Sequence, residues 1–183
     1  MRTLFAAAFA AFALLVAHGA PAAAQGYTPP NQAEQREAMA RLAPLIGRWA
    51  GQANVLSPQE ALVHQTELVE PAMDGLLLVI RGTGYATPAH TGAPVFEALA
   101  VISYDDARDI YEFRAYAHGH ASTATGQFLE DGAFRWSIAP GGPVRIQYTI
   151  RFSGESWSEI GEMSYDNGQT WTRTIEMNLT RAR

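Results

Sequence analysis

The spacing of hydrophobic and polar residues changes at Gly47. Before Gly47 the apolar residues recur at the spacing of a helix, and after it they alternate with polar residues with a period of two. The clearest alternation runs from Val144 to Phe152, where every second residue is apolar and is predicted to face inward. Ten segments have this strand character: 47–56, 61–70, 76–85, 95–104, 109–118, 121–129, 133–138, 143–153, 156–164 and 171–180.

The predicted strands are joined by short segments that are rich in turn residues. Asp74-Gly75, Asp131-Gly132 and Asp166-Asn167-Gly168 are examples. Parallel neighbours would need connections of about a dozen residues or more, so successive strands are expected to pair antiparallel. The sequence therefore predicts an all-β fold, an antiparallel up-and-down barrel of about ten strands with one short N-terminal helix.

The helix is predicted to begin after Asn31, whose side chain suits the N-cap position. It is expected to run from Gln32 to about Ala43, with Pro44 ending the regular turn. Residues 25–30 have a turn-like composition and are predicted to be disordered, so that residues 31–183 form a single domain. Four apolar residues lie close to one helical face: Met39, Leu42, Leu45 and Ile46.

The first residues resemble a secretory signal peptide. Arg2 precedes an apolar run from Leu4 to Val16, and the small residues Ala22 to Ala24 follow as a cleavage pattern. The run is shorter than the roughly 20 residues that span a bilayer, and no second apolar stretch follows it, so no integral membrane segment is predicted. We expect residues 1–24 to be removed near Ala24 and the protein to reach the periplasm or the medium.

Composition excludes several classes of function. The chain has no Cys, its 13 basic residues are all Arg, and its net charge is −5. The Arg residues are scattered rather than clustered, which argues against nucleic acid as a partner. No nucleophile motif and no glycine-rich phosphate loop are present, so we predict no catalytic residues and no nucleotide cofactor.

Three segments carry a resemblance to a known class of protein: Leu42 to Trp49, Tyr104 to Arg108, and Asp166 to Trp171. In order and spacing they resemble lipocalin-like (calycin) β-barrels, and among them a secreted bacterial domain family of unknown function related in fold to nitrobindins and fatty-acid-binding proteins. The resemblance covers residues 38–181. It implies that an Arg of the last strand, Arg181 or less favourably Arg173, stacks on Trp49 and closes the barrel.

The resemblance to nitrobindins also implies a haem site, which needs a His near the C-terminal end of the barrel. The last His in this chain is His120, more than sixty residues before Arg183. The sequence therefore departs from that family at its functional residue, and we predict no haem and no other cofactor.

His118-Gly119-His120 places two imidazoles two residues apart, which would put both on one face of a strand. Only His64 or His90 could supply a third imidazole. Because the local sequence offers no third ligand, we interpret the pair as a solvated strand end and predict no metal site.

Candidate ligand-binding residues are aromatic or sulfur-containing side chains on predicted inner faces, together with two polar groups: Phe134, Trp136, Tyr148, Met177, Tyr116 and His118. The position of the last two is open. The row formed by Glu112, Arg114, Tyr116 and His118 is either a solvated outer surface or, in the reverse register, a set of polar groups that orient a ligand inside.

These observations favour an exported barrel that encloses a small apolar or amphipathic molecule. One alternative is a cofactor-independent isomerase or lyase that uses His118, Tyr116 or Glu112 as acid and base. Another is a barrel with a filled interior that acts through its outer surface on a partner protein. The sequence does not indicate an oligomeric state.

Overall fold

Ten antiparallel strands follow one another along the chain, and the last pairs with the first to close a barrel. The computed structural model describes residues 29–183, so the predicted signal peptide and most of the predicted disordered segment lie outside the described residues. The all-β barrel with a short helix and all ten predicted strands are confirmed. The strands are β1 (Gly47–Val55), β2 (Ala61–Ala72), β3 (Leu77–Tyr85), β4 (Phe96–Asp105), β5 (Ile110–Ala117), β6 (His120–Phe128), β7 (Phe134–Gly141), β8 (Val144–Phe152), β9 (Ser156–Ser164) and β10 (Thr172–Arg181).

The single α-helix, α1, spans Gln32–Ala40 and is capped as expected, because the Asn31 side chain accepts a hydrogen bond from the Glu34 backbone N–H at 3.3 Å. The predicted end near Ala43 was wrong by about one turn. A 3₁₀ turn, Ala43–Leu45, follows the α-helix instead. Pro44 disfavours α-helical geometry at the residue before it, which accounts for the early end.

One end of the barrel is closed by α1 and the 3₁₀ turn. Met39, Leu42 and Leu45 are buried there at 3%, 0% and 0% exposure, respectively. The Tyr111 hydroxyl of β5 donates to the Ala38 carbonyl at 2.8 Å, which ties the barrel wall to the helix. The interior of the barrel is therefore closed at this end.

Arg181 covers Trp49 at the plugged end, which confirms the expectation for the last strand. The guanidinium carbon of Arg181 lies 4.2 Å from the centre of the Trp49 ring. Its nitrogens donate to the carbonyls of Ile46 at 2.7 Å and Pro44 at 2.9 Å. The Trp49 indole N–H donates in turn to the Leu45 carbonyl at 2.7 Å. Arg181 therefore joins β10 to the segment that enters β1.

The register of β5 decides between the two orientations left open by the sequence. Phe113 is buried, whereas Arg114 and Tyr116 are exposed, so the polar row lies on the outer surface as far as Tyr116. The two histidines do not share a strand face. His118 and Gly119 form the β5–β6 turn with φ of +50° and +77°, and His120 begins β6. The expected strand placement of the pair was wrong because the hairpin turns at His118.

Candidate ligand-binding cavity

A cavity of about 600 Å³ lies inside the barrel. Its volume is in the range of about 300–1,000 Å³ that is typical of small-molecule sites. Most of its lining is apolar, and small residues such as Ala98, Ala100 and Ala115 leave the central space open. Phe96 and His118, near the ends of β4 and β5, line the side away from the helix. The interior is therefore not filled by its own side chains.

Three stacked rings form one wall of the cavity. The rings of Phe113 and Trp136 have their centres 4.4 Å apart with planes inclined by 5°, and those of Trp136 and Tyr148 lie 4.1 Å apart at 11°. Gly161 lies opposite Tyr148 on β9, where a Cβ would be only 2.7 Å from a carbon of the Tyr148 ring. The absence of a side chain at Gly161 therefore gives the stack its space.

Polar side chains enter the cavity from β2. Gln65 and Glu67 are 3% and 9% exposed, and the Gln65 side-chain amide donates to Glu67 Oε1 at 2.8 Å. Gly82 on β3 is paired with Glu67 on β2, and a Cβ at Gly82 would lie 2.7 Å from Glu67 Oε1. The glycine thus makes room for the carboxyl group within the barrel wall.

A second carboxyl group, that of Glu159 on β9, also lines the cavity. Burial raises the pKa of Glu67 to about 8, with a further rise from Glu159 and an opposing effect of the Gln65 hydrogen bond. Burial likewise raises the pKa of Glu159 to about 7. The neighbouring Trp157 indole opposes that rise, without reaching full hydrogen-bonding geometry. Both acids therefore titrate near neutral pH, which is unusual for glutamate.

Two indole N–H groups on the cavity wall have no hydrogen-bond partner among residues 29–183. They are Nε1 of Trp136 and Nε1 of Trp157, and both atoms are buried. Buried donors are normally paired, and an unpaired one costs about 1–3 kcal/mol. Together with Gln65, Glu67 and Glu159, these donors give an otherwise apolar cavity a small set of polar groups.

Of the six predicted binding residues, Trp136, Tyr148 and Met177 line the cavity, and His118 stands where the cavity meets the outer surface. Phe134 does not line it. Its ring is fully buried near the plug, 5.2 Å from those of Tyr111 and Phe128, so it belongs to the core. Tyr116 is 49% exposed on the outer surface and does not join the others.

Sequence reasoning missed Gln65, Glu67 and Glu159. Strand β2 mixes polar and apolar residues on both faces, so its inward face cannot be read from hydrophobicity. A partial signal exists in β9, where Trp157 and Glu159 are two residues apart and must share a face. Extending the inward face from Trp157 would have placed Glu159 inside.

An open groove of about 620 Å³ on the outer surface includes Arg81, Glu97 and Tyr116. The interior cavity is the better candidate site because the barrel encloses it and its wall is mostly apolar. Within the described part of the chain, no three His, Asp or Glu side chains are grouped as metal ligands. His64 and His90 lie beside another outer groove, which His118 does not line.

The fold and the site define a closed, ten-stranded antiparallel barrel with an internal, partly acidic cavity. The crystal structure of Rv2717c from M. tuberculosis is similar, with a TM-score of 0.62 and 18% sequence identity over 80% of this chain and 98% of that chain. At this identity the similarity concerns the fold alone. No known family and no curated protein sequence matches the chain. Among residues 29–183, no helix has the length and apolar character needed to cross a membrane.

Proposed function

We propose that the protein is an exported barrel of the lipocalin-like class that binds a small amphipathic molecule in its interior. The observation that carries the proposal is the 600 Å³ cavity, which combines an aromatic wall with a few polar groups. Transfer of the apolar part of a ligand from water to this wall would drive binding, at about 25 cal/mol for each Å² buried. The polar groups would fix the orientation of the ligand.

Binding can be tested with the neutral fluorescent probe N-phenyl-1-naphthylamine. Ala115 lines the cavity and Ala121 is exposed on the outer surface, so Ala115→Phe and Ala121→Phe form a matched pair. We expect the wild-type protein and Ala121→Phe to bind the probe equally. We expect Ala115→Phe to bind it more weakly, by about tenfold or more. Thermal unfolding of both variants checks that they are folded.

Absence of probe binding to the wild-type protein would contradict the proposal. Unchanged binding to Ala115→Phe would place the probe outside the cavity. Native mass spectrometry of gently purified protein provides an independent test, because a retained ligand appears as excess mass that is lost on denaturation.

A second candidate function is acid–base catalysis, and it is favoured by the two cavity glutamates whose pKa values are raised to about 8 and about 7. These acids replace Glu112 and Tyr116, which face outward, as the candidate groups. If native mass spectrometry identifies a ligand, incubation of that ligand with wild-type protein and with Glu67→Gln tests this function. Chemical conversion by the wild-type protein alone would favour catalysis, and an unchanged ligand would favour binding.

Export rests on the signal-peptide pattern of Arg2, the apolar run from Leu4 to Val16 and the small residues up to Ala24. We expect protein recovered from the periplasm or medium to begin at Gln25. N-terminal peptide mapping by mass spectrometry measures this directly. Recovery of the chain with residues 1–24 intact in the cytoplasm would contradict export.

A further inference from the structure

The ionisable groups of the cavity are strongly unbalanced in charge. Glu67 and Glu159 both line it, and among residues 29–183 no Arg does. The chain contains no Lys. His118 stands at the rim and the remaining ionisable group, Tyr148, is a neutral phenol whose pKa burial raises further. Glu67, which is buried, and Glu159, which is half-buried, therefore face an enclosed space whose one basic side chain among residues 29–183 is the rim His118.

Buried acids are normally paired with a positive charge or a metal, since leaving a carboxylate in an apolar site is costly. Glu67 has one partner in the barrel, the neutral amide of Gln65. Glu159 lies beside the Trp157 indole, which is also neutral. The described barrel therefore offers Glu67 one hydrogen bond, and neither Gln65 nor Trp157 brings a compensating charge.

The indole of Trp136 is a separate sign that a ligand with polar atoms completes the site. Its ring lies at the centre of the aromatic stack, and its buried Nε1 has no hydrogen-bond partner in the described chain. The Trp157 indole, by contrast, already lies beside the Glu159 carboxyl group. An indole N–H needs an acceptor, such as an ether, hydroxyl or carbonyl oxygen.

We infer that the ligand is an organic cation, an amine on an apolar or aromatic body, whose ammonium group binds against Glu67 and Glu159. The inference rests on the proposed binding function and specifies its ligand class. An ammonium group supplies the positive charge that the cavity lacks and donates to both carboxylates. A fatty acid or another anion would instead place its negative charge beside two acidic groups, with no Arg or Lys among the cavity-lining residues, so the cavity selects against it.

Three probes with the same ten-carbon chain separate charge from hydrophobicity: decylamine, 1-decanol and decanoate. Each probe is added to the protein with bound N-phenyl-1-naphthylamine at pH 8, and the displacement of the dye is measured. The probe concentrations stay below those at which the probes form micelles. We expect decylamine to displace the dye at about tenfold lower concentration than 1-decanol, and decanoate to be the weakest of the three.

The variants test which carboxyl groups are responsible. In Glu67→Gln/Glu159→Gln, decylamine is expected to lose its advantage over 1-decanol, while 1-decanol binds as before. Gln is nearly the same size as Glu and its carbonyl can still accept from Gln65, so the barrel is expected to stay folded. Glu97→Gln is the matched control. Glu97 lies in the outer groove, so this variant should keep the preference for decylamine.

A pH series adds a second readout. Decylamine stays charged from pH 6 to pH 8, whereas the cavity carboxyl groups ionise over this range because burial raises the pKa of both. The affinity of the wild-type protein for decylamine should therefore rise with pH. The affinity of the double variant should not change with pH. The other titratable groups facing these acids are Tyr148 and the rim His118. His118→Gln separates the contribution of the histidine.

The outcomes distinguish the two levels of the proposal. If 1-decanol or decanoate binds as tightly as decylamine, or if the double variant retains the preference, the inference of a cationic ligand is overturned while the binding function stands. If the wild-type protein does not bind the dye at all, the proposed function and the inference fail together.

Discussion

Tyr148 on β8 and Gly161 on β9 are directly paired, and the Tyr148 ring occupies the space that a side chain at position 161 would need. A Cβ at this position would also lie 2.4 Å from a methyl carbon of Ile175 on β10. The glycine therefore leaves the room that the Tyr148 ring, at one end of the three-ring stack, occupies.

Gly161→Ala is expected to destabilise the protein by about 1–3 kcal/mol, because the added methyl group overpacks a site that is already occupied. It should also weaken dye binding, since Tyr148 must shift. Gly154→Ala is the matched control, because a Cβ there meets no atom within 4 Å. Urea denaturation measures both variants, and equal stability of the two would contradict the proposed role of Gly161.

The buried carboxyl group of Glu67 predicts a stability that falls as the pH rises. Its pKa is about 8 in the folded protein against an ordinary value of 4.5, so the folded state binds more protons than the unfolded state between these limits. The expected loss on going from pH 5 to pH 9 is a few kcal/mol, at roughly 1.4 kcal/mol for each unit of pKa shift.

Glu67→Gln removes this titration, so its stability should depend less on pH and should exceed that of the wild-type protein at pH 9. Free energies of unfolding from urea denaturation at pH 5, 7 and 9 provide the measurement. Parallel pH profiles of the two proteins would show that Glu67 ionises freely in the folded state.

Asp166 predicts the opposite dependence at low pH. Its carboxylate accepts from the Thr170 hydroxyl at 2.6 Å, from the Thr170 backbone N–H at 2.8 Å and from the Ser164 hydroxyl at 2.7 Å, and these bonds lower its pKa to about 2. Stability from this group is present above the ordinary pKa of 3.8 and is lost as the pH falls through about 2. Asp166→Asn should therefore be less stable than wild type at pH 6, and the gap should narrow by pH 2. A gap that stays constant with pH would exclude the carboxylate charge as its cause.

Arg181 predicts a specific requirement for a guanidinium group. Three of its nitrogens donate to the carbonyls of Gly154, Ile46 and Pro44, which a Lys side chain cannot reproduce. Arg181→Lys should lower the free energy of unfolding by about 1–3 kcal/mol. The matched control is Arg173→Lys, which changes an exposed ion pair with Glu176 that is worth about 0–1 kcal/mol. Comparable losses in both variants would contradict the closing role of Arg181.

Local features of the sequence account for most of the fold. The period-two alternation, the turn residues and the Asn31 cap each depend on residues close together in the chain, so the ten strands and the start of α1 were predictable. Trp136, Tyr148 and Met177 were also placed correctly on inward faces, because their strands alternate clearly.

What those inward faces enclose depends on how the strands come together in the closed barrel. Phe134 and Trp136 share a face of β7, yet only Trp136 reaches the cavity because the plug covers the end of the strand where Phe134 lies. Barrel closure likewise brings Glu67 of β2 and Glu159 of β9, which are distant in the sequence, to the same interior. Alternation along the chain is enough to specify a barrel with an aromatic inner wall. The acidic character of its cavity arises only on closure, because strand alternation sets which residues share a face but not which strands meet across the interior.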